Sequence, residues 1–153
     1  MEIAHEGAAE RLKALPTRLV NQVALVANRA TERALESTGS RRYHYALLAT
    51  LEEFGAASQA DLGRRTRIDR SDVVAAVNDL AVRGLVQRSP DPADRRRNIV
   101  TITTAGTRHL DDLDERLAGA QDELLAGFSA ADRRTLVTLL TRILETHSAA
   151  RGR

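Results

Sequence analysis

Three consecutive arginines, Arg95, Arg96 and Arg97, follow Pro90-Asp91-Pro92-Ala93-Asp94 and precede Asn98-Ile99-Val100-Thr101-Ile102-Thr103. Guanidinium groups bind phosphate, and one inserted into a narrow DNA minor groove is drawn in by the negative potential there. A run of like charge is by default only a solvated face, so its neighbours must decide. Just upstream, Asp69 to Val82 carries a second set at helical spacing: Arg70, Ser71, Asp72, Ala75 and Asn78. Small side chains at Ser71 and Ala75 allow a backbone to approach the major groove closely. Val74 and Ala75 suit thymine methyl groups and Asn78 suits adenine. Asp72 either serves the helix dipole and the first amides or accepts a hydrogen bond from cytosine N4.

These groups need rigid elements to aim them. Proline and aspartate are turn formers and the β-branched run Ile99 to Thr103 favours a strand, so Gly84–Thr103 predicts a β-hairpin. Its strands begin at Leu85-Val86-Gln87 and at Ile99, and its tip spans 90–97. Asp69 is placed to cap a helix over Arg70–Val82, closed by Gly84, with Val73, Val77 and Leu80 as the buried stripe. Ser58, with Asp61 three residues on, opens a short helix that ends in a turn at Thr66-Arg67-Ile68. Short helix, turn, helix and hairpin together make a winged helix-turn-helix, whose second helix enters the major groove.

The flanks read as helices. One runs from Pro16 to about Leu35 and ends at Ser37-Thr38-Gly39. Another spans Arg41–Phe54, with Ser40 as N-cap and Leu47, Leu48, Leu51 and Phe54 facing inward. Thr104-Ala105-Gly106 leads into an acidic helix with a stripe at Leu110, Leu113, Leu117, Leu124 and Phe128, broken at Gly119. Ser129 and Asp132 open a last helix carrying Leu136, Leu139, Leu140, Ile143 and Leu144. Residues 1–14 predict an arm or short helix, and Ser148 to Arg153 should fray. The predicted fold class is mainly α with a small β-hairpin wing, a winged helix-turn-helix plus a helical region formed by both chain ends.

A chain of 153 residues with 42% hydrophobic and 3% aromatic content fits one domain, or one compact core with extensions, and predicts an aliphatic core. The absence of cysteine excludes disulfides, thiol catalysis and thiolate zinc sites. No apolar run approaches the roughly 20 residues of a bilayer span. Glu2, His5 and Glu6 give no secretory pattern, so a cytoplasmic protein without a membrane partner is expected. The net charge of +2 is uneven: residues 56–104 hold nine Arg against six Asp, and residues 105–128 hold two Arg against six acids. Lys13 is the only lysine. There is no phosphate-binding loop and no serine with an evident histidine partner. Asp111, Asp112, Asp114 and Glu115 lie on the solvent side of the leucine stripe. An enzyme is not expected, nor a cofactor.

The wing pattern Asp94-x-Arg96, five residues, then Ile102-Thr103 resembles that of the MarR family of bacterial transcriptional regulators, which more often has leucine at the Ile102 position. DRSDVVAAVNDLAVRGLVQR (Asp69–Arg88), LLATLEEF (Leu47–Phe54) and TTAG (Thr103–Gly106) are similar to that family too. The resemblance covers about Leu15 to His147 and is specific in residues 58–106. It implies one MarR-type domain over 1–153, with dimerisation helices at 15–39 and 105–148 and a DNA-binding winged helix at 41–104. It further implies a homodimer on a palindromic operator in double-stranded DNA, usually as a repressor. Arg96 would enter the minor groove, and Asp94 would brace either Arg96 or Arg88. Arg95 and Arg97 would contact phosphates or nothing.

Many members bind a small anionic aromatic effector between the dimerisation helices and the winged helix, for which Arg18, Asn21, His44 and Tyr45 are the candidates. Some sense zinc near the places of His44 and His109, with Asp112 as the only evident third ligand; no metal is assigned here. Asp72 departs from the family, where threonine or another neutral residue is common. The alternative is a winged helix that binds only proteins, for which three tip arginines have no use.

Overall fold

The computed structural model describes residues 7–151, with side chains to Ser148. Its elements run α1 (Glu10–Lys13), α2 (Pro16–Leu35), a 3-10 turn (Glu36–Thr38), α3 (Arg42–Phe54), β1 (Ala57–Ser58) and α4 (Gln59–Thr66). They continue with α5 (Arg70–Val82), β2 (Val86–Pro90), β3 (Asn98–Ile102), α6 (Thr104–Leu124) and α7 (Ala130–Arg151). The expected architecture, mainly helical with a small antiparallel wing, is the one found. Glu2, His5 and the end of the chain past Arg151 lie outside the described residues.

Local chemistry sets most boundaries. Pro16 occupies the first turn of α2, where its missing N–H costs nothing. Gly39, at φ 73°, turns the chain into α3. Ser58 Oγ accepts the Asp61 N–H at 3.1 Å. Ser129 and Asp132 cap α7 reciprocally, each backbone N–H donating to the other's side chain. Helix α6 starts one turn earlier than expected. Thr103 is its N-cap, accepting the Gly106 N–H at 3.0 Å, and Thr104-Ala105-Gly106 is its first turn. Gly119 does not break it.

Two expectations at α3 fail. Ser40 is not its N-cap; that position belongs to Arg41, whose N–H donates to His44 Nδ1 at 2.8 Å. Phe54 does not face inward but is 57% exposed, with the Arg65 guanidinium 4.2 Å from its ring centroid. Cation–π attraction gives the exposed ring a partner at the surface.

The wing is part of a three-stranded antiparallel sheet in the order β1-β3-β2. Val86 pairs with Ile102 and Pro90 with Asn98 across the hairpin, while Ala57 pairs with Val100 on the other side. The core is aliphatic: Leu47, Leu48, Leu62, Val73, Val77, Leu80, Val100 and Leu113 are fully buried. It lies where α3, α4 and α5 meet β3 and the first half of α6. The chain ends contribute little to it. Helix α2 buries only Ala30 and Leu35, and none of the described side chains of α7 is buried. Both helices instead expose apolar residues, Val20, Val23, Leu25 and Val26 on α2, and Val137, Leu139, Leu140, Ile143 and Leu144 on α7. Among the described residues, no helix is long and apolar enough to cross a membrane.

Candidate nucleic-acid interface

Helix α5 divides by periodicity. Val73, Ala76, Val77 and Leu80 are buried, so Arg70, Ser71, Ala75 and Asn78 face solvent and Val74 and Asp72 sit half-buried at the margin. Asp69 holds the N-cap position without a side-chain cap bond. The turn from α4 to α5 is made tight by Arg67, a non-glycine residue at φ 59°. Its guanidinium donates to Ser148 Oγ at 2.7 Å, tying the helix-turn-helix to α7.

The wing tip is closed by its own hydrogen bonds. Asp91 N–H donates to Arg97 O at 2.8 Å, Arg97 N–H donates to Asp94 O at 2.9 Å, and Asp91 Oδ1 accepts the Ala93 N–H at 2.9 Å. Within this frame Asp94 Oδ1 accepts both the Arg96 backbone N–H, at 3.1 Å, and Arg96 Nε–H, at 3.2 Å. The Arg96 side chain is nevertheless 92% exposed. A guanidinium fixed at its Nε and bare at its outer edge is aimed away from the protein.

The other arginines divide differently from expectation. Arg97 Nη2 donates to Ser58 Oγ at 3.0 Å, so it fastens the tip to the start of α4. Arg88 is not the partner of Asp94: it reaches from β2 to α5 and donates to Asn78 Oδ1. The carbonyl oxygen of Asn78, expected to read adenine, is thereby occupied. Arg95 is exposed at the tip beside Arg96.

None of the four expected effector residues is among those lining the cleft beside α2 described below. Arg18 is half-buried on α2, with Nη1 3.5 Å from Leu12 O, and Asn21 is exposed. Tyr45 donates to Asp114 Oδ1 at 2.6 Å, and this bond, with burial, pushes its phenol up to about 12. His44 Nε2 lies 3.0 Å from Asp79 Oδ2. Burial, ahead of the opposing Asp79 charge, holds its imidazole below the ordinary value. A cleft of about 820 Å³ lies instead between the C-terminal half of α2 and the start of α3, lined by residues that include Asn28, Arg29, Arg33, Arg41, Arg42 and Tyr43.

His109 is part-buried on α6, bonded to Ser40 Oγ at 2.7 Å and Arg83 Nη2 at 3.3 Å. Among the described residues there is no group of three or more acidic or histidine ligands suited to a metal.

The model of the MarR family matches residues 38–97, the span from the end of the 3-10 turn through the wing tip. The transcriptional repressor NicR of Pseudomonas putida is 31% identical over 106 residues, covering 69% of this chain and 67% of its own length. This chain belongs to the MarR family. A probable transcriptional regulator from Pseudomonas aeruginosa is 31% identical, with a TM-score of 0.78 over 87% of this chain and 99% of that one. BpsR of Bordetella bronchiseptica, whose DNA binding is regulated by 6-hydroxynicotinic acid, shares the fold at 23% identity, with a TM-score of 0.78 over 89% of this chain and 97% of that one. The chain spans about two thirds of the length of the curated relatives it matches. MarR-family proteins are DNA-binding transcriptional regulators and not enzymes.

On this MarR wing, the Asp94–Arg96 contact makes a specific prediction. Asp94→Ala should weaken duplex binding by no more than about tenfold, since an exposed brace contributes modestly. The same change in an Arg96→Ala background should have no further effect. A double-mutant cycle by fluorescence anisotropy measures this; additive losses would mean that Asp94 acts apart from Arg96. The Arg97–Ser58 and Arg88–Asn78 contacts were not legible in the sequence. The first joins residues 39 apart. The second spans only 10 residues but depends on the angle at which the chain leaves Gly84.

Proposed function

We propose that this MarR-family chain is a homodimeric, sequence-specific repressor that binds a palindromic operator and is released by a small anionic aromatic ligand. The observation that carries DNA reading is the pairing of two outward surfaces. The solvent face of α5 carries Arg70, Ser71 and Ala75, and the wing presents Arg96, held at Nε and bare at its tip. The first suits a major groove and the second the adjacent minor groove. Asp72 stands half-buried where it meets the first of these grooves.

Dimerisation is supported by the apolar faces of α2 and α7. A helix of 22 residues, none of whose described side chains is fully buried in its own chain, gains its stability by packing on another surface. A second copy presents the same face by two-fold symmetry, and two-fold symmetry reads a palindrome. Effector release is supported by the regulation of BpsR by an aromatic acid and by the arginine-lined cleft beside α2. Such a ligand engaging His44 or Tyr45 would have to displace Asp79 or Asp114.

The reading is tested by selecting duplexes from a random pool with the purified protein. We expect an inverted repeat with half-sites about one helical turn apart. Affinity for it should fall steeply with salt, with a log–log slope of about −0.9 for each phosphate neutralised. Recovery of no enriched sequence, or a flat salt response, would overturn it.

A further inference from the structure

Arg83 stands at the C-terminal end of the recognition helix, away from the reading face. Its guanidinium reaches back into the body of the protein. Nη2 donates to Thr38 O at 3.2 Å, and Nη1 donates to Gly39 O at 3.2 Å and to Ser40 Oγ at 3.0 Å. Nη2 also lies 3.3 Å from His109 Nε2 on α6, and Asp79 Oδ2 is 3.4 Å from Nη1. One side chain thus joins α5 to the end of α2 and to α6, the helices that carry the chain-end regions. Ser40 is 4% exposed, which accounts for its absence from the cap of α3: its hydroxyl bridges Arg83 and His109.

The bonding fixes the protonation state. A guanidinium only donates, and Arg83 donates to Ser40 Oγ as well as facing His109. The seat that remains for His109 Nε2 is that of an acceptor, so the ring is neutral with its proton on Nδ1. A proton added at Nε2 would set two cations against each other at the Arg83 contact. The charged groups around His109 are Arg83 from α5, Asp112 one turn along α6, and His44 from α3, with Arg41 and Asp79 acting on His44 in turn. Asp112 alone favours the extra charge on His109, and it is exposed.

We propose that Arg83 is the positioning residue of the recognition helix, held by the Thr38 and Gly39 carbonyls, the Ser40 hydroxyl and the neutral ring of His109 together, so that proton uptake at His109 loosens this set and weakens DNA binding. This inference rests on the repressor reading above. Burial and Arg83 both hold His109 below its ordinary value of 6.5. Folding therefore disfavours the protonated form. The associated stability is intact above pH 6.5 and is lost as pH falls below that value, through the lowered folded-state range. Residues 58–103, which contain both reading surfaces, hold no histidine. Direct contacts to DNA accordingly supply no titrating imidazole.

The test uses the full-length protein and a duplex selected from a random pool. Wild-type affinity should fall about tenfold between about pH 7.5 and about pH 5.5. His109→Gln, which keeps an acceptor near Nε2 and cannot titrate, should lose most of that fall, the His44–Asp79 contact being present in both proteins. Arg83→Met should bind weakly at all pH values, and Arg83→Lys should restore part of the affinity. In parallel, the His109 ring signal should titrate below 6.5 by NMR in wild type and move upward in Arg83→Met. A His109→Gln profile that follows wild type, or a His109 titration indifferent to Arg83→Met, overturns the proposal. Failure to select any duplex at any pH would instead overturn the repressor reading, and the ring titration would still decide the Arg83–His109 contact.

Discussion

An Arg96→Ala variant is expected to lose tight duplex binding by on the order of a thousandfold with its assembly state unchanged. A groove-reading arginine is worth on the order of 1–3 kcal/mol, and the homodimer proposed above would carry two of them. The effect should exceed that of Arg95→Ala or Arg97→Ala for a geometric reason. Arg96 is oriented by two hydrogen bonds to Asp94 yet leaves its outer nitrogens bare, so little side-chain freedom is lost when it meets DNA. Arg97 is spent on Ser58. Removing it should lower local order at the tip more than it lowers affinity. Binding isotherms paired with sedimentation analysis separate the cases. Retention of near wild-type affinity by Arg96→Ala would remove the wing from the reading surface and favour a protein-binding module.

The second large effect is expected at a residue that touches no DNA. Gly106 lies in the first turn of α6, pressed against the chain where it leaves α5 for β2. A Cβ at this position would sit 2.0 Å from Leu85 O and 2.8 Å from Ile102 Cγ1. The nearer atom belongs to the backbone. The same carbonyl accepts the Thr103 N–H at 3.1 Å, and Thr103 Oγ1 donates to Gly84 O at 2.7 Å. Nothing here swings aside as a flexible side chain would. Gly106→Ala should therefore cost about 3 kcal/mol and lower Tm by roughly 10 °C, through overpacking that separates the wing from α6. Thermal unfolding followed by circular dichroism measures it. A variant as stable as wild type would show that the helix start shifts freely, against the geometry of Thr103.

The contrast between these residues shows what was legible in the sequence. Arg96 could be singled out because the wing pattern that resembles the MarR family, Asp94-x-Arg96 through Ile102-Thr103, is carried by a short contiguous stretch of chain. The same holds for Ser58 and Asp61, Gly39 and Gly84, where capping and left-handed backbone are properties of a few adjacent residues. The thread from Asp69 through Thr103 was readable because helix and strand periodicities switch within it at marked turns. Gly106 was invisible as a contact residue, since its need for a missing Cβ arises from a carbonyl 21 positions earlier. Strand β1 was missed because Ala57-Ser58 has no strand character of its own; it pairs only because the free edge of β3 faces it. Ser40 was misassigned for a related reason. A serine before a helix is ordinarily a cap, and here a long-range pair, Arg83 and His109, competes for its hydroxyl. The effector residues were chosen by analogy of position, and the side-chain pairings that engage His44 and Tyr45 depend on Asp79 and Asp114, 35 and 69 residues away.

The near-absence of lysine has a consequence of its own. Lys13, the single lysine, pairs with Glu10 on α1, outside the winged helix. Every cation that α5 and the wing present is a guanidinium, charged at any physiological pH and inert to acetyl donors. A regulator with lysines on its reading face can have its hold on DNA graded by the acetylation state of the cell. This one has no such amine to modify there, so the positive charge it brings to DNA is constant. At a given salt concentration, what can grade its hold on DNA is geometry: how the recognition helix and the wing are fastened to the rest of the fold.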